Sequence, residues 1–347
     1  MIKLVLAFLT FLYVLMTVLP LVRSDFWTFR LLEYPRLQKL VIGLILLAVV
    51  LMNSIYFNNI VWWYLIPLIL CVIYLSVKIY PYTALSPKEM KRIAGSEPSK
   101  ELKIFTANVL QDNNHYSKML NQIKEQDPDI IFLVETDSKW AEALKELEQQ
   151  YSYSIKNPLD NTYGLLFYSR LEVIEGDVNF IVENDVPSIE VIVKLACGIP
   201  VKIYGLHPKP PVPKEALYST AKDKELMKVA LNVEHFEDPC IVMGDLNDVA
   251  WSYVTKLFRK VSGLIDPRRG RGFYSTFSAN NRWMRIPLDY IFCSSHFGLV
   301  SMRRMPHNGS DHFAMFIHLQ YQEQLEKMQE KPEADKKEKE AAVEKAA

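Results

Sequence analysis

A set of Asn, Asp, Glu and His side chains stands directly beside apolar runs that have the length of β-strands. A role in the core explains such residues poorly, whereas strand ends can present side chains to a shared cleft. The residues are Asn108, Glu135, His207, Asp245, Asn247, Asp289, Asp311 and His312. Several carboxylates in one cleft raise the local negative charge, and this favours a bound cation there.

Each of these residues has an ordinary explanation when it is taken alone. A Glu at a strand end is usually a solvated edge residue, and a lone His is usually structural. The Asp of Gly-Asp-Leu-Asn can simply shape a turn. Their recurrence at the boundaries of apolar runs, in one compact order, is what favours a shared site.

The segments between these residues alternate between the patterns of strands and of helices. Short apolar runs predict strands, and amphipathic runs predict helices, one of which Ser138 is placed to cap. The predicted strands are residues 102–108, 130–135, 164–168, 173–175, 188–195, 201–207, 240–244, 288–293 and 313–318, and the predicted helices are 117–125, 138–150 and 214–233. Strands joined partly by helices and partly by hairpins indicate two packed sheets with helices outside.

The order of these residues resembles the endonuclease/exonuclease/phosphatase superfamily, which contains deoxyribonucleases, abasic-site endonucleases, neutral sphingomyelinases and inositol-polyphosphate 5-phosphatases. The resemblance runs from about Leu102 to Leu319. It is carried by Thr-Ala-Asn108, Val-Glu135-Thr, Gly164-Leu-Leu-Phe-Tyr-Ser169-Arg170, Leu-His207-Pro, Gly244-Asp245-Leu-Asn247, Pro287-Leu-Asp289-Tyr-Ile-Phe and Gly-Ser310-Asp311-His312. The resemblance implies a four-layer α/β sandwich, two packed mixed sheets flanked by helices, with its cleft at one edge of both sheets. His-Pro-Lys-Pro-Pro after the histidine strand is similar to the membrane-anchored subgroup.

Phosphodiesters resist hydrolysis because their anionic oxygens repel a nucleophile and an alkoxide is a poor leaving group. A hard divalent cation lowers both barriers. The resemblance implies that Glu135 binds this cation, and that Asn108 and Asp311 complete its ligand shell or bind a second ion. We therefore expect a requirement for Mg²⁺, with Mn²⁺ as a substitute.

The resemblance assigns the remaining residues to the reaction itself. Asp245 is expected to orient the attacking water, and Asn247 to bind a phosphoryl oxygen. His312 and Asp289 resemble the family's His–Asp dyad, in which the carboxylate favours the charged imidazole. His207 is expected to face the phosphate as a candidate general acid.

Three apolar runs precede this region, at residues 4–22, 40–61 and 62–77. The first two are long enough to cross a bilayer as helices, and the third is typical of the return arm of a helical hairpin. A cleaved signal peptide would explain only the first run. We expect three transmembrane helices; the alternative is two spans and a re-entrant or interfacial segment. The runs contain no ionisable residue, so we expect an anchor rather than an ion path.

Lys and Arg residues are concentrated on one side of these predicted spans. Residues 23–39 carry four of them and residues 78–92 another four, whereas the opposite side has only Lys3. Basic loops stay preferentially in the cytoplasm. We therefore expect a multi-pass membrane protein whose catalytic domain is cytoplasmic.

The chain divides into four predicted parts. These are a membrane anchor at residues 1–80, a proline-containing linker at 81–99, a catalytic domain at 100–320 and a charged tail at 321–347, which is helical or disordered. The catalytic domain carries 25 Lys and Arg residues against 28 Asp and Glu residues, a difference of −3. This balance disfavours a duplex DNA binder. Its three cysteines are too widely spaced for a disulfide framework or a zinc site.

One dense basic cluster lies shortly before Asp289. Its arginines alternate with aromatic residues, which suits either an anionic substrate or headgroup, or a solvated loop with an aromatic anchor. The cluster comprises Arg268, Arg269, Arg271, Arg282 and Arg285 with Phe273, Tyr274, Phe277 and Trp283. We expect a membrane-anchored phosphodiesterase or phosphatase acting on a lipid or a small phosphorylated substrate. The alternatives are a tethered endo- or exonuclease and an inactive binding module of the same fold.

Overall fold

The N-terminal quarter of the chain is helical in a computed structural model that describes residues 1–58 and 61–347. Its helices are α1 (Ile2–Val18), α2 (Trp27–Leu31), α3 (Arg36–Tyr56) and α4 (Trp62–Ile79). Helices α1, α3 and α4 pack together, and each lies in a stretch long enough and apolar enough to span a membrane. The predicted three long apolar helices are therefore confirmed. The second predicted run passes through Asn59 and Ile60, which lie outside the described residues.

Eleven strands and six helices are described in the rest of the chain. The strands are β1 (Glu101–Asn108), β2 (Ile130–Val134), β3 (Tyr153–Asn157), β4 (Leu165–Ser169), β5 (Glu172–Asn179), β6 (Ser188–Lys194), β7 (Pro200–Leu206), β8 (Cys240–Asp245), β9 (Asp289–Cys293), β10 (Phe297–Arg304) and β11 (Met315–Tyr321). The helices are α5 (Tyr116–Gln126), α6 (Ser138–Ala143), α7 (Thr220–Glu234), α8 (Tyr253–Ser262), α9 (Glu323–Met328) and α10 (Lys336–Ala346).

The strands form two mixed sheets that pack face to face. One sheet has the order β10-β11-β1-β2-β4-β3 and the other β5-β6-β7-β8-β9. Phe132, Ile203 and Met243 belong to the buried core between them. Helices α5 and α6 cover the outer face of the first sheet, and α7 and α8 cover that of the second. This arrangement confirms the predicted two-sheet α/β sandwich with flanking helices.

Several details differ from the prediction made from the sequence. Strands β3 and β10 and helix α8 were not predicted, and the predicted helix at 214–233 begins only at Thr220. The N-cap of α6 is Asp137 rather than Ser138, since the Asp137 carboxylate accepts a hydrogen bond from the Trp140 amide at 2.9 Å. The predicted helix at 138–150 is divided into α6 and a 3₁₀ turn at Lys145–Gln149.

The segments on either side of the sandwich pack against it. Met90 is fully buried between the two sheets, and the Ile93 amide donates to the Leu299 carbonyl at 3.0 Å. Near the C-terminus, α10 lies along α7 and α8, where Ala342 is buried and Lys260 pairs with Glu338 at 2.7 Å. Residues 81–99 and 321–347 therefore contribute contacts to the folded domain.

The short segment between α1 and α3 docks onto the second sheet's helical layer. Arg30 forms a buried ion pair with Asp223 of α7. The Tyr34 hydroxyl donates to the Asn247 carbonyl at 2.6 Å, and the Trp251 indole N–H donates to the Glu33 carbonyl at 2.9 Å. These contacts fasten the apolar helices directly to the loop that follows β8.

We predict that Arg30→Ala lowers the free energy of unfolding of the detergent-solubilised chain by about 3–5 kcal/mol, because it leaves the buried Asp223 carboxylate short of a partner. Thermal unfolding of the full chain measures the effect. Lys145→Ala removes an exposed pair with Glu142 and is the control, with an expected change within about 0.5 kcal/mol. Equal melting temperatures for the two variants would contradict the docking role.

Candidate active site

The polar residues predicted from the sequence gather where strands of both sheets end. Asn108 ends β1, and Glu135 follows β2, which runs parallel to β1. His207 follows β7, and Asp245 ends the parallel strand β8. Parallel strands end at the same edge of a sheet. Asn108 and Glu135 therefore lie at one edge of the first sheet, and His207 and Asp245 lie at one edge of the second.

Backbone conformation near these residues is unusual. Gly244 has φ of 128°, and a Cβ there would collide with the Leu206 carbonyl, so only glycine fits before Asp245. Glu135 and Asn247 have φ of 59° and 49°, a region that side-chain-bearing residues seldom occupy. Such conformations persist where the surrounding structure holds them and are common at functional sites.

Asn108 connects two carboxylates at the centre of this cluster. Its Nδ2 donates to Glu135 Oε1 at 2.6 Å and to Asp245 Oδ2 at 3.1 Å. Burial raises the pKa of Glu135 to about 7 against the opposing effects of this hydrogen bond and of His312, and the charges of Asp245 and Asp311 raise it further. The cluster is therefore rich in negative charge that has been removed from water.

His312 and Asp289 form a buried dyad beside the carboxylates. His312 Nδ1 lies 2.8 Å from Asp289 Oδ2, and Nε2 lies 3.5 Å from Asp245 Oδ2. Burial alone would lower the pKa of His312, but the charges of Asp289 and Asp245 raise it to about 10. The imidazole is consequently protonated at neutral pH and carries an N–H on both nitrogens.

The pKa of His207 is shifted in the opposite direction to that of His312. Its Nε2 lies 3.9 Å from both Glu135 Oε1 and Asp245 Oδ2. Burial lowers the pKa of His207, and the positive charge of His312 lowers it further, outweighing the attraction of Asp245. The two histidines of the site therefore differ in charge, with His207 neutral and His312 cationic.

Asn247 and Asp311 occupy the border of the cluster. The Asn247 amide donates to Asp245 Oδ1 at 3.0 Å, and its side chain donates to the Pro208 carbonyl at 3.0 Å. Burial raises the pKa of Asp311, which is half-buried, and the charge of Asp245 raises it further, while His312 opposes the rise. The structure thus brings all eight predicted residues to one edge of the sandwich.

Three further residues hold the site in place and were not singled out from the sequence. Ser310 Oγ donates to the Asn108 carbonyl at 2.8 Å and accepts from the His312 amide at 2.9 Å. Thr276 Oγ1 accepts from the Asp289 amide at 3.2 Å, and the Tyr163 ring lies 5.2 Å from that of His207. Ser310 lies within a recognised motif, whereas Thr276 and Tyr163 carried no signal in the sequence.

Two sets of residues offer metal-ligand atoms. Asp245, Asp289 and His312 present ligand atoms that lie within 4.8 Å of one another. In addition, Asp289 Oδ1 and Asp311 Oδ1 are buried without a hydrogen-bond partner in the described part of the chain. Buried carboxylate oxygens without donors suit a divalent cation, which prefers oxygen ligands. The residues present therefore fit a metal site.

Three of the five clustered arginines bind groups within the folded domain. Arg268 pairs with Asp266 at 2.8 Å, and Arg269 pairs with Glu89 at 3.1 Å. Arg271 donates to the Pro267 carbonyl at 3.1 Å and to the Met90 carbonyl. Only Arg282 and Arg285 of the cluster remain available to an anion, so most of its charge is structural.

Carboxylates, an amide and two differently charged histidines thus lie at one edge of two packed mixed sheets in an α/β sandwich. Residues 105–312 match the Endonuclease/Exonuclease/phosphatase family. The chain belongs to this family. No curated protein matches the sequence.

Solved structures with a similar fold cover the sandwich but not the whole chain. TDP2 of D. rerio, complexed with single strand DNA product, is 16% identical with a TM-score of 0.52, over 63% of this chain and 98% of that chain. The human Nocturnin catalytic domain with bound sulfate anion is 18% identical with a TM-score of 0.53, over 66% and 96%. A family protein from Bacteroides thetaiotaomicron is 17% identical with a TM-score of 0.53, over 65% and 100%. Likeness at these identities shows the fold alone.

We predict that Asp289→Asn lowers the pKa of His312 by on the order of 1–3 units, because it removes the negative charge hydrogen-bonded to Nδ1. Nuclear magnetic resonance titration of the imidazole measures this change. Asp177→Asn, on the exposed side of β5, is the control and should leave the titration unchanged. An unchanged His312 titration in Asp289→Asn would show that the dyad does not set its charge.

Proposed function

We propose that this protein is a membrane-anchored, divalent-metal-dependent phosphoester hydrolase. The observation that carries the proposal is the buried cluster in which Asn108 joins Glu135 to Asp245 beside the charged His312. A cluster of this charge pattern can bind a cation and an anionic phosphoryl group side by side. The alternative is an inactive binding module of the same fold, and such a protein would not need this cluster of charged side chains.

Glu135 is the proposed metal ligand, with Asn108 and Asp311 beside it. We prefer Glu135 to the set of Asp245, Asp289 and His312, because Asp289 Oδ2 already lies 2.8 Å from His312 Nδ1 and these two side chains bind each other. The Glu135 carboxylate is half-buried, and its pKa is raised to about 7, so a neighbouring positive charge would stabilise its ionised form. When bound, Mg²⁺ or Mn²⁺ would neutralise phosphoryl oxygens and stabilise the leaving oxygen.

The other side chains of the site are proposed to bind the phosphoryl group, to orient the attacking water and to stabilise the negative charge that develops. The Asp245 carboxylate accepts a hydrogen bond from the attacking water and aligns it, and Asn247 contacts a phosphoryl oxygen. The charged His312, held by Asp289, stabilises the negative charge that accumulates on the phosphoryl group. A lowered pKa suits His207 to donate a hydrogen bond as a neutral imidazole rather than to release a proton.

A lipid headgroup or another small phosphoester is the proposed substrate class. The three long apolar helices would hold the site at a bilayer, and their basic flanks favour a cytoplasmic domain. The domain lacks the basic excess of a duplex binder. Nucleic acid remains the alternative substrate, and TDP2, with a similar fold, was solved with a DNA product. Robust nicking of plasmid without headgroup release from vesicles would favour the nuclease.

We predict that Glu135→Ala, Asp245→Ala and His312→Ala each lower turnover of bis(p-nitrophenyl) phosphate by on the order of 10²–10³-fold, because each removes a charge that acts on the phosphoryl group. Steady-state rates of the purified full chain measure the loss. Glu172→Ala, at an exposed position on β5, is the control and should keep wild-type turnover. Near-normal rates in all three variants, with unchanged melting, would place the reaction elsewhere.

A further inference from the structure

An open groove of about 990 Å³ lies between helix α3 and the loop of residues 271–285. One wall is formed by Val41, Ile42 and Ile45 of α3. The facing wall is formed by the loop and by Arg304 of β10. Gln38 closes the domain end, because its side chain donates to the Trp283 and Arg285 carbonyls, both at 3.1 Å. The groove therefore joins a candidate membrane span to the catalytic domain.

The α3 wall is apolar and uncovered. Ile42 and Ile45 are 55% and 60% exposed, and Val41 is similarly open. These residues lie within three turns of Arg36, where α3 begins against the domain. Because α3 has the length and composition of a membrane span, this wall would face the hydrocarbon just below the headgroups of a bilayer that α3 crosses. The molecules available there are the acyl chains of lipids.

The facing wall carries positive charge that no acidic group offsets. Arg282, Arg285 and Arg304 form no ion pair within residues 1–58 and 61–347. The guanidinium groups of Arg285 and Arg304 both lie over the Phe313 ring, at 5.0 and 4.3 Å. Burial and the neighbouring Arg285 both lower the pKa of Arg304. Guanidinium groups without an acidic partner among the described residues suit an anion such as a phosphate.

Trp283 extends the same surface. Its side chain is 84% exposed, and the adjacent Met284 is 53% exposed. Trp is enriched where proteins meet the headgroup region of a bilayer, since its ring is apolar and its N–H remains hydrated. An exposed Trp beside arginines, at the domain end of a candidate membrane span, suits a loop that contacts the bilayer interface.

We propose that this groove binds an anionic phospholipid of the surrounding bilayer. Its acyl chains lie along Val41, Ile42 and Ile45, and its phosphate accepts hydrogen bonds from Arg285 and Arg304. The apolar α3 wall meets the arginine wall in this groove. A phospholipid likewise joins its acyl chains to its phosphate in that order. This binding site does not depend on the hydrolytic activity proposed above, and its test does not use that activity.

The test is native mass spectrometry of the detergent-solubilised full chain with equimolar palmitoyl-oleoyl phosphatidylglycerol and phosphatidylcholine. We expect one phosphatidylglycerol to be retained preferentially. The double variant Arg285→Gln/Arg304→Gln should bind it at least roughly tenfold more weakly, the scale of a charge-assisted hydrogen bond. Arg303→Gln is the matched control, because Arg303 is exposed on the same strand and does not line the groove.

A second variant addresses the apolar wall. Ile42→Trp fills the groove without changing its charge and should also displace the lipid, which keeps the proposal testable if the arginine variant fails to fold. Equal retention of the two lipids by the wild-type chain would overturn the proposal. So would unaltered phosphatidylglycerol binding in folded Arg285→Gln/Arg304→Gln or Ile42→Trp protein. Complete displacement by an equal concentration of sn-glycerol 3-phosphate would show headgroup recognition alone and would equally contradict a lipid site.

Discussion

The side-chain amide of Asn108 is the interaction on which the site depends. Asn108 belongs to one sheet and Asp245 to the other, and the same Nδ2 that bonds Asp245 also bonds Glu135. Its Oδ1 accepts from the Leu110 amide at 3.0 Å, which fixes the direction of the donors. A neutral donor thus joins the half-buried Glu135 carboxylate to the buried Asp245 carboxylate across the sheet interface. Without it, both carboxylates would lose a shared hydrogen-bond donor away from water.

The electrostatics of the rest of the site follow from this arrangement. Carboxylates fixed on one side raise the pKa of His312, while His312 in turn helps to keep His207 neutral. The loop after Asp245 is also held from outside the sandwich, since Tyr34 and Glu33 bond to Asn247 and Trp251. The segment between the apolar helices therefore supports the same strand end that supplies the central carboxylate.

The sheet architecture and the residues of the site could be predicted, because both produce patterns that are visible in short stretches of the sequence. Buried strands are continuous apolar runs, and the polar residue that ends each run stands out against them. Helix α8 was overlooked although its apolar residues Val254, Leu257, Phe258 and Val261 recur at helical spacing, and strand β10 was missed because only its first three residues are buried. Arg268 and Arg269 were assigned to a basic cluster because a sequence does not show the partners, Asp266 and Glu89, that neutralise them. The different charge states of His207 and His312 depend on burial and distance, which spacing alone does not reveal.

We propose that a divalent cation beside Glu135 supports phosphoester hydrolysis, and removing the cation with a chelator is the decisive test. The full chain is stripped with excess EDTA and returned to buffer containing Mg²⁺, and hydrolysis of bis(p-nitrophenyl) phosphate is followed at each stage. We expect hydrolysis to stop in EDTA and to return with Mg²⁺ in the wild-type protein, and we expect Glu135→Gln to recover little of it at the same Mg²⁺ concentration. Full hydrolysis in excess chelator, or equal recovery by Glu135→Gln, would contradict it.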